Sequence, residues 1–148
     1  MIDKQSFLEE VERTAAVVRR SLSRALRPYG VALSEARALI TLSRLAQKTP
    51  ASAERFVPLS DVADGLITEG PVSRLFNELL RKNLIEKRIS PTDQRAKDIR
   101  LTKEGTKLIP SLKKALTPKS KEWKAQNLKA AAIARATKTL IELQETYQ

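Results

Sequence analysis

Apolar residues in segment 4–27 fall at Phe7, Val11, Ala15, Val18, Leu22 and Leu26, in steps of four and three. That spacing predicts one greasy face of a helix. The stretch RPYG (27–30) stops it: Pro28 disfavours helix at Arg27, and Gly30 suits a turn. A stripe of that length needs a wall, either the core of its own domain or the surface of a second subunit. A second helix is predicted from Ser34, a good N-cap, with Glu35 facing the helix dipole and Ala38, Leu39, Leu42 and Leu45 turned inward. Residues 48–58 read as a connection with a short strand at Phe56–Val57.

Ser60 is predicted to cap a short third helix that buries Val62, Ala63 and Leu66, with a turn over 67–71 and Pro71 at the first position of a fourth helix. The fourth helix buries Val72, Leu75, Phe76, Leu79 and Leu80, and its opposite face shows Ser73, Arg74, Asn77 and Arg81. Asn83 stands where a left-handed residue closes such a helix, with Leu84 folded back on Leu79. Ile85 and Ile89, then Ile99 and Leu101, alternate with polar neighbours, which predicts a two-stranded hairpin with PTDQRAK (91–97) at its tip. Thr102 caps a fifth helix with the stripe Leu108, Leu112 and Leu116, interrupted by Pro110 and ended by Pro118. A sixth helix is expected over 124–146, with Ile133, Leu140, Leu143 and Tyr147 as its stripe. The expected class is mainly α with a small β-hairpin wing.

Composition narrows the chemistry. The 148 residues carry 28 Lys plus Arg against 17 Asp plus Glu, a formal charge of +11. A field of that sign attracts polyanions: nucleic acid, an anionic membrane or an acidic partner. No Cys and no His occur, which removes thiol chemistry, the usual general base and the commonest transition-metal ligands. With no glycine-rich phosphate loop either, the chain reads as no enzyme, with no catalytic residue, metal or cofactor. No apolar run approaches the ~18 residues of a membrane span, and the N-terminus lacks the order of a secretory signal. A cytoplasmic protein with no membrane partner is expected.

Helix, turn, helix and hairpin is the plan of a winged helix-turn-helix. In that plan the second helix lies in the DNA major groove, where base edges carry a distinguishable donor–acceptor code. Ser73, Arg74, Asn77 and Arg81 can all donate to bases or phosphates, although a charged helix face is also what solvent selects. At the hairpin tip Arg95 is narrow enough to enter an A·T-rich minor groove, whose potential attracts it. Asp93 is expected to accept the Arg95 guanidinium N–H groups and hold its rotamer; the alternative is an ordinary surface ion pair. Lys97 adds charge beside the tip. Over 71–103, nine cations stand against four acids, a net of +5.

LSDVADGL (59–66), VSRLFNELLRKNLIEKR (72–88) and PTDQRAKDIRLTKEG (91–105) resemble the MarR family of bacterial transcription regulators. The family's wing pattern, D-x-R-A-x(4)-L-T-x-x-G, is met by Asp93, Arg95, Ala96, Leu101, Thr102 and Gly105. ALSEARALITL (32–42) fits its second helix. The chain departs from the pattern in placing Asn83 where Gly is common, in a turn at 65–72 about one residue short, and in a long connection at 46–58. The resemblance implies an obligate homodimer on a palindromic double-stranded DNA operator, with the wing arginine in the minor groove. It implies a dimerisation region at 1–30 and 106–148, carrying Phe7, Val11, Val18, Leu22 and Leu140, around a DNA-binding domain at 31–105. Many members release DNA on binding a small aromatic or phenolic effector. Tyr29 and Arg37 are candidates for the junction of the two regions, though more simply structural or solvated residues. The expectation is a sequence-specific regulator, a repressor by type. Its rivals are a basic architectural or accessory DNA-binding protein without an effector, and a module for an acidic protein partner.

Overall fold

The computed structural model of the chain describes residues 3–66, 70–118 and 129–148. Helix α1 is Lys4–Leu26, capped by Asp3, whose Oδ1 accepts the Ser6 N–H at 2.7 Å. A 3-10 turn at Arg27–Tyr29 follows, closed by Gly30 in the left-handed region at φ 67°. Helix α2 is Leu33–Gln47. Its cap is Ala32 rather than Ser34. Ala32 has no side-chain acceptor, so the bond that forms runs the other way: Glu35 Oε1 accepts the Ala32 N–H at 3.0 Å. Ser34 therefore lies inside the first turn.

Strand β1 is Val57–Pro58 and helix α3 is Leu59–Ala63. The expected cap Ser60 again falls inside the helix, because Pro58 already sets the entry with φ −55°. Helix α4 is Val72–Arg81, with Pro71 one position ahead as its N-cap. It closes as the sequence predicts. Asn83 has φ 57°, the Leu84 N–H reaches the Leu79 carbonyl at 3.0 Å, and the Asn83 N–H reaches Leu80 O at 3.0 Å. That pair of bonds is the Schellman arrangement.

Strands β2 (Ile85–Ile89) and β3 (Lys97–Leu101) form the hairpin, and β1 adds to the far side of β3, giving an antiparallel sheet in the order β1-β3-β2. Ile85 faces Leu101, and Ile89 faces Lys97. Ile99 is fully buried, whereas Ile89 stays exposed on the outer half of the hairpin.

Helix α5, Lys103–Leu116, runs through Pro110. Thr102 caps it as expected: its Oγ1 accepts the Gly105 N–H at 3.0 Å while donating to Asn83 O at 2.8 Å. Gly105 has a plain steric reason to be glycine, since a Cβ there would collide with the Leu84 carbonyl oxygen. The turn after α4, the start of α5 and the root of the wing thus share one crossing point.

The core gathers Leu26, Leu39, Leu42, Val62, Phe76, Leu79, Ile99 and Leu112 from α1, α2, α3, α4, β3 and α5. Burying each large apolar side chain contributes about 1.5–3 kcal/mol. α1 joins this core through its last turn: Leu26 is buried, but Phe7 and Val18 are exposed, and Val11 and Leu22 are half-buried. The chain divides into two compact units, Met1–Leu116 and Thr117–Gln148. In the second, helix α6 is Ala130–Thr146 and has no buried residue; Ile133, Leu140 and Tyr147 are exposed. The beginning of the helix expected over 124–146 lies outside the described residues. No described helix is long and apolar enough to cross a membrane.

Candidate nucleic-acid interface

Helix α4 separates its two faces cleanly. Leu75, Phe76 and Leu79 are buried, and Ser73, Arg74, Asn77 and Arg81 are exposed. Steps of three and four bring those four polar residues together on one side. Glu78 borders that group and engages Arg81. Arg81 Nη2 donates to Glu78 Oε2 at 2.8 Å and Arg81 Nε to the same oxygen at 3.2 Å. The bond to Arg81 holds the Glu78 carboxyl below its ordinary range, and the same bond raises Arg81 further. Arg81 is thus engaged by an acid of its own helix.

The end of α4 is fixed by Lys82. Its Nζ donates to Glu35 Oε2 at 2.9 Å, to Glu35 Oε1 at 3.0 Å and to Gly30 O at 2.9 Å. The Glu35 side chain is 9% exposed and the Lys82 side chain 25%. This partly buried pair ties α4 to the cap of α2 and the turn after α1.

At the wing, Asp93, Arg95 and Lys97 are all exposed. The expected contact between the Asp93 carboxylate and the Arg95 guanidinium is not the one formed. Asp93 Oδ1 accepts the Arg95 backbone N–H at 3.0 Å, and the Asp93 carbonyl accepts the Ala96 N–H at 3.0 Å. Two residues is the spacing at which an Asp side chain caps a turn, and the backbone N–H lies closer than a long flexible head group. Asp93 shapes the tip, and Arg95 stays exposed. Ser90, hydrogen-bonded to Thr92 at 3.1 Å, closes the other shoulder.

A cleft of about 570 Å³ opens between α1, α2 and the start of α4. Apolar Val18, Leu33 and Leu75 line it beside Arg37, Arg74 and Glu35. Arg37 lines this cleft, and Tyr29 does not. Among the described residues no group of His, Cys, Asp and Glu could hold a metal ion.

No protein-family model matches the chain, and no curated protein does. Solved structures do. MepR from S. aureus in complex with DNA superposes with a TM-score of 0.76 at 19% identity, over 100% of each chain. The fold is the MarR-type winged helix. A cysteine-to-serine mutant of MarR from E. coli, complexed with operator DNA, gives 0.71 at 18% identity over 96% of this chain and 99% of that one. A MarR-like transcription regulator from Bacillus cereus gives 0.71 at 12% identity over 97% of both. Within the MarR-type fold, α3 and α4 make the helix-turn-helix, and β2 and β3 make the wing.

Sequence reasoning missed the tie between Glu35 and Lys82. Glu35 and Lys82 lie 47 positions apart, and no local pattern pairs them.

Proposed function

We propose that the chain is a homodimeric, sequence-specific regulator of transcription that binds double-stranded DNA, with α4 in the major groove and the wing in the adjacent minor groove. The observation that carries this reading is the pairing of two exposed cationic elements on one MarR-type frame: the Ser73, Arg74, Asn77 and Arg81 face of α4, and Arg95 held at a tip built by Asp93. The net charge of +11 supplies the attraction, and structural neighbours of the same fold were solved on DNA.

Residues 1–30 and 106–148 are assigned to dimerisation and 31–105 to DNA binding. Phe7, Val11, Val18, Leu22 and Leu140 lie in the dimer interface. Repression follows if a bound dimer blocks a promoter, and such a regulator works in the bacterial cytoplasm. The cleft suits a small aromatic effector: its volume is that of a ligand site, and Arg37 and Arg74 would meet a carboxylate or phenolate. An occupant there touches α1, α2 and α4 at once.

Footprinting with the purified protein tests the reading. A regulator protects a discrete palindrome; uniform coverage would identify an architectural DNA-binding protein instead. If the dimer neutralises ~8 phosphates, log K falls with log salt at a slope of about −7, and a slope shallower than about −2 contradicts phosphate-led binding.

A further inference from the structure

Phe56 ends the loop between α2 and β1 and is buried. Its ring is flanked by two guanidinium groups. Arg88 Cζ lies 4.0 Å and Arg100 Cζ 4.5 Å from the ring centroid. The two arginines come from facing strands of the wing. Arg100 stands opposite Glu86 and donates to its Oε2 at 2.7 Å; Arg88 stands opposite Asp98, with Nε 3.5 Å from Oδ2. The inner half of the wing is thus a ladder of two opposite-charge rungs capped by an aromatic ring.

The ring arrives there along an unusual backbone. Glu54 and Arg55 both adopt left-handed conformations, at φ 54° and 62°. Two consecutive non-glycine residues in that region persist only where the surroundings hold them. Arg100 supplies a hold: its Nη1 donates to the Glu54 carbonyl at 3.4 Å and lies 3.8 Å from the Glu54 carboxylate. Arg88 Nε is buried without a hydrogen bond of its own, so the ring face and Asp98 are what fix that guanidinium. The long 46–58 connection delivers an aromatic clamp to the wing.

Resting on the function proposed above, we infer that Phe56 is a positioning residue for minor-groove reading: by clamping Arg88 and Arg100 it sets the pitch of the hairpin that carries Arg95. β1 pairs only with Asp98 and Ile99, so beyond those residues the wing has two strands, and a two-stranded hairpin is barely stable by itself. Arg95 lies outside the clamped rungs, and a hairpin free to pivot would have to be ordered on every binding event. Clamped, the tip is already aimed. A cation over an aromatic face gains from the ring quadrupole, so a leucine of similar bulk fills the place but loses the hold.

The experiment uses the full chain and operator duplexes, selected by the protein from random DNA, that differ only in A·T or G·C pairs beneath the wing. Affinities are measured for the wild type, Phe56→Leu, Phe56→Tyr, Arg95→Ala and Phe56→Leu with Arg95→Ala. Arg95→Ala is expected to lower affinity for the A·T duplex roughly tenfold per site and to erase the preference for it. Phe56→Leu is expected to lose most of that preference while melting within a few degrees of the wild type. Phe56→Tyr restores the preference, and Phe56→Leu adds nothing to Arg95→Ala. Equal weakening on both duplexes, or full additivity with Arg95→Ala, overturns the inference and makes Phe56 a plain core residue. If Phe56→Leu does not fold, Arg100→Lys is read in its place, since lysine keeps the charge and lacks the planar stacking group; an unchanged preference in that variant also overturns it. An Arg95→Ala variant with wild-type binding removes the wing reading and this inference together. An Arg95→Ala effect without one from Phe56→Leu removes the clamp alone.

Discussion

Helices α1 and α4 are written in the same spacing of apolar residues and meet opposite fates. In α4 the stripe of Leu75, Phe76 and Leu79 is buried at 8%, 2% and 1% exposure, roofed by α2 and the root of the wing. In α1 only Leu26 is buried; Phe7 is 38% exposed and Val18 47%. Periodicity says that a face will be covered but not by what. A stripe whose neighbours in the chain lie within a few turns finds its wall inside the domain. In α1 Phe7 and Val18 stay exposed and Val11 and Leu22 half-buried, although Val18 lines the cleft toward α2 and α4. Exposed patches of large apolar residues mark interaction surfaces, so α1 carries the dimer proposal and α4 carries the core.

The contrast breaks first at its two phenylalanines. Phe76→Ala is expected to cost about 3–5 kcal/mol of unfolding free energy, the usual range for an aromatic removed from a core. Phe7→Ala is expected to cost far less per folded monomer, with a melting temperature that falls as the protein is diluted, because its proposed partner is another subunit. Melting curves at protein concentrations spanning two decades separate them. Equal, concentration-independent losses would place α1 in the core of its own chain and sink the interface assignment.

Val18→Asp with Leu22→Asp sharpens the same point. Charge placed in a subunit interface carries an uncompensated desolvation cost of several kcal/mol. The variant is expected to sediment as a monomer and to lose the palindrome footprint. A folded dimer would show that some other surface joins the subunits.

The comparison also explains what was legible before the structure. α4 could be read to its last residue because each signal is local: the stripe, the polar face and Asn83 at the left-handed position all fall within a dozen positions. The wing register was implicit as well, since residues equidistant from Asp93 face each other, Glu86 with Arg100 and Arg88 with Asp98. The caps misread at Ser34 and Ser60 were also local, but capping is decided by where the chain enters the helix, and Ala32 and Pro58 set the entry. The Asp93 contact was misassigned because a carboxylate two residues ahead reaches the backbone before the side chain. The Lys82–Glu35 pair and the Phe56 clamp needed chain folding to exist at all: each joins residues more than 30 positions apart, with nothing in the intervening sequence to announce it.

Glu35→Ala tests the tie between the two helices. Removing the acid leaves Lys82 with the Gly30 carbonyl alone in a partly buried place. The cost of breaking a fully buried pair, ~3–5 kcal/mol, must be reduced for the water that still reaches Lys82, to roughly 1–3 kcal/mol. Glu35→Ala with Lys82→Met should recover part of the loss, because no unpaired charge remains. If the double variant is no more stable than Glu35→Ala, the pair contributes through packing rather than charge.

The smallest effect lies on the proposed DNA face of α4, where Glu78 holds Arg81. The hydrogen bond from Arg81 depresses the Glu78 carboxyl below its ordinary value of 4.5. A group depressed on folding adds stability that is present above its unfolded value and disappears as pH falls through its folded one. Arg81 is exposed and Glu78 only half-buried, so the stability at stake is slight, and the informative readout is the titration itself. Carbon-detected NMR of the Glu78 carboxyl should give a midpoint below that of the Arg81→Ala variant. If Arg81 meets a phosphate as proposed, the pair sets a small toll on binding, since Arg81 then gives up Glu78. Glu78→Gln releases it, and the salt dependence of DNA binding should steepen by about 0.9 per added phosphate contact. Unchanged midpoints in Arg81→Ala, together with an unchanged salt slope in Glu78→Gln, would mean that solvent already separates the two side chains and that Arg81 stands as open to DNA as Arg74.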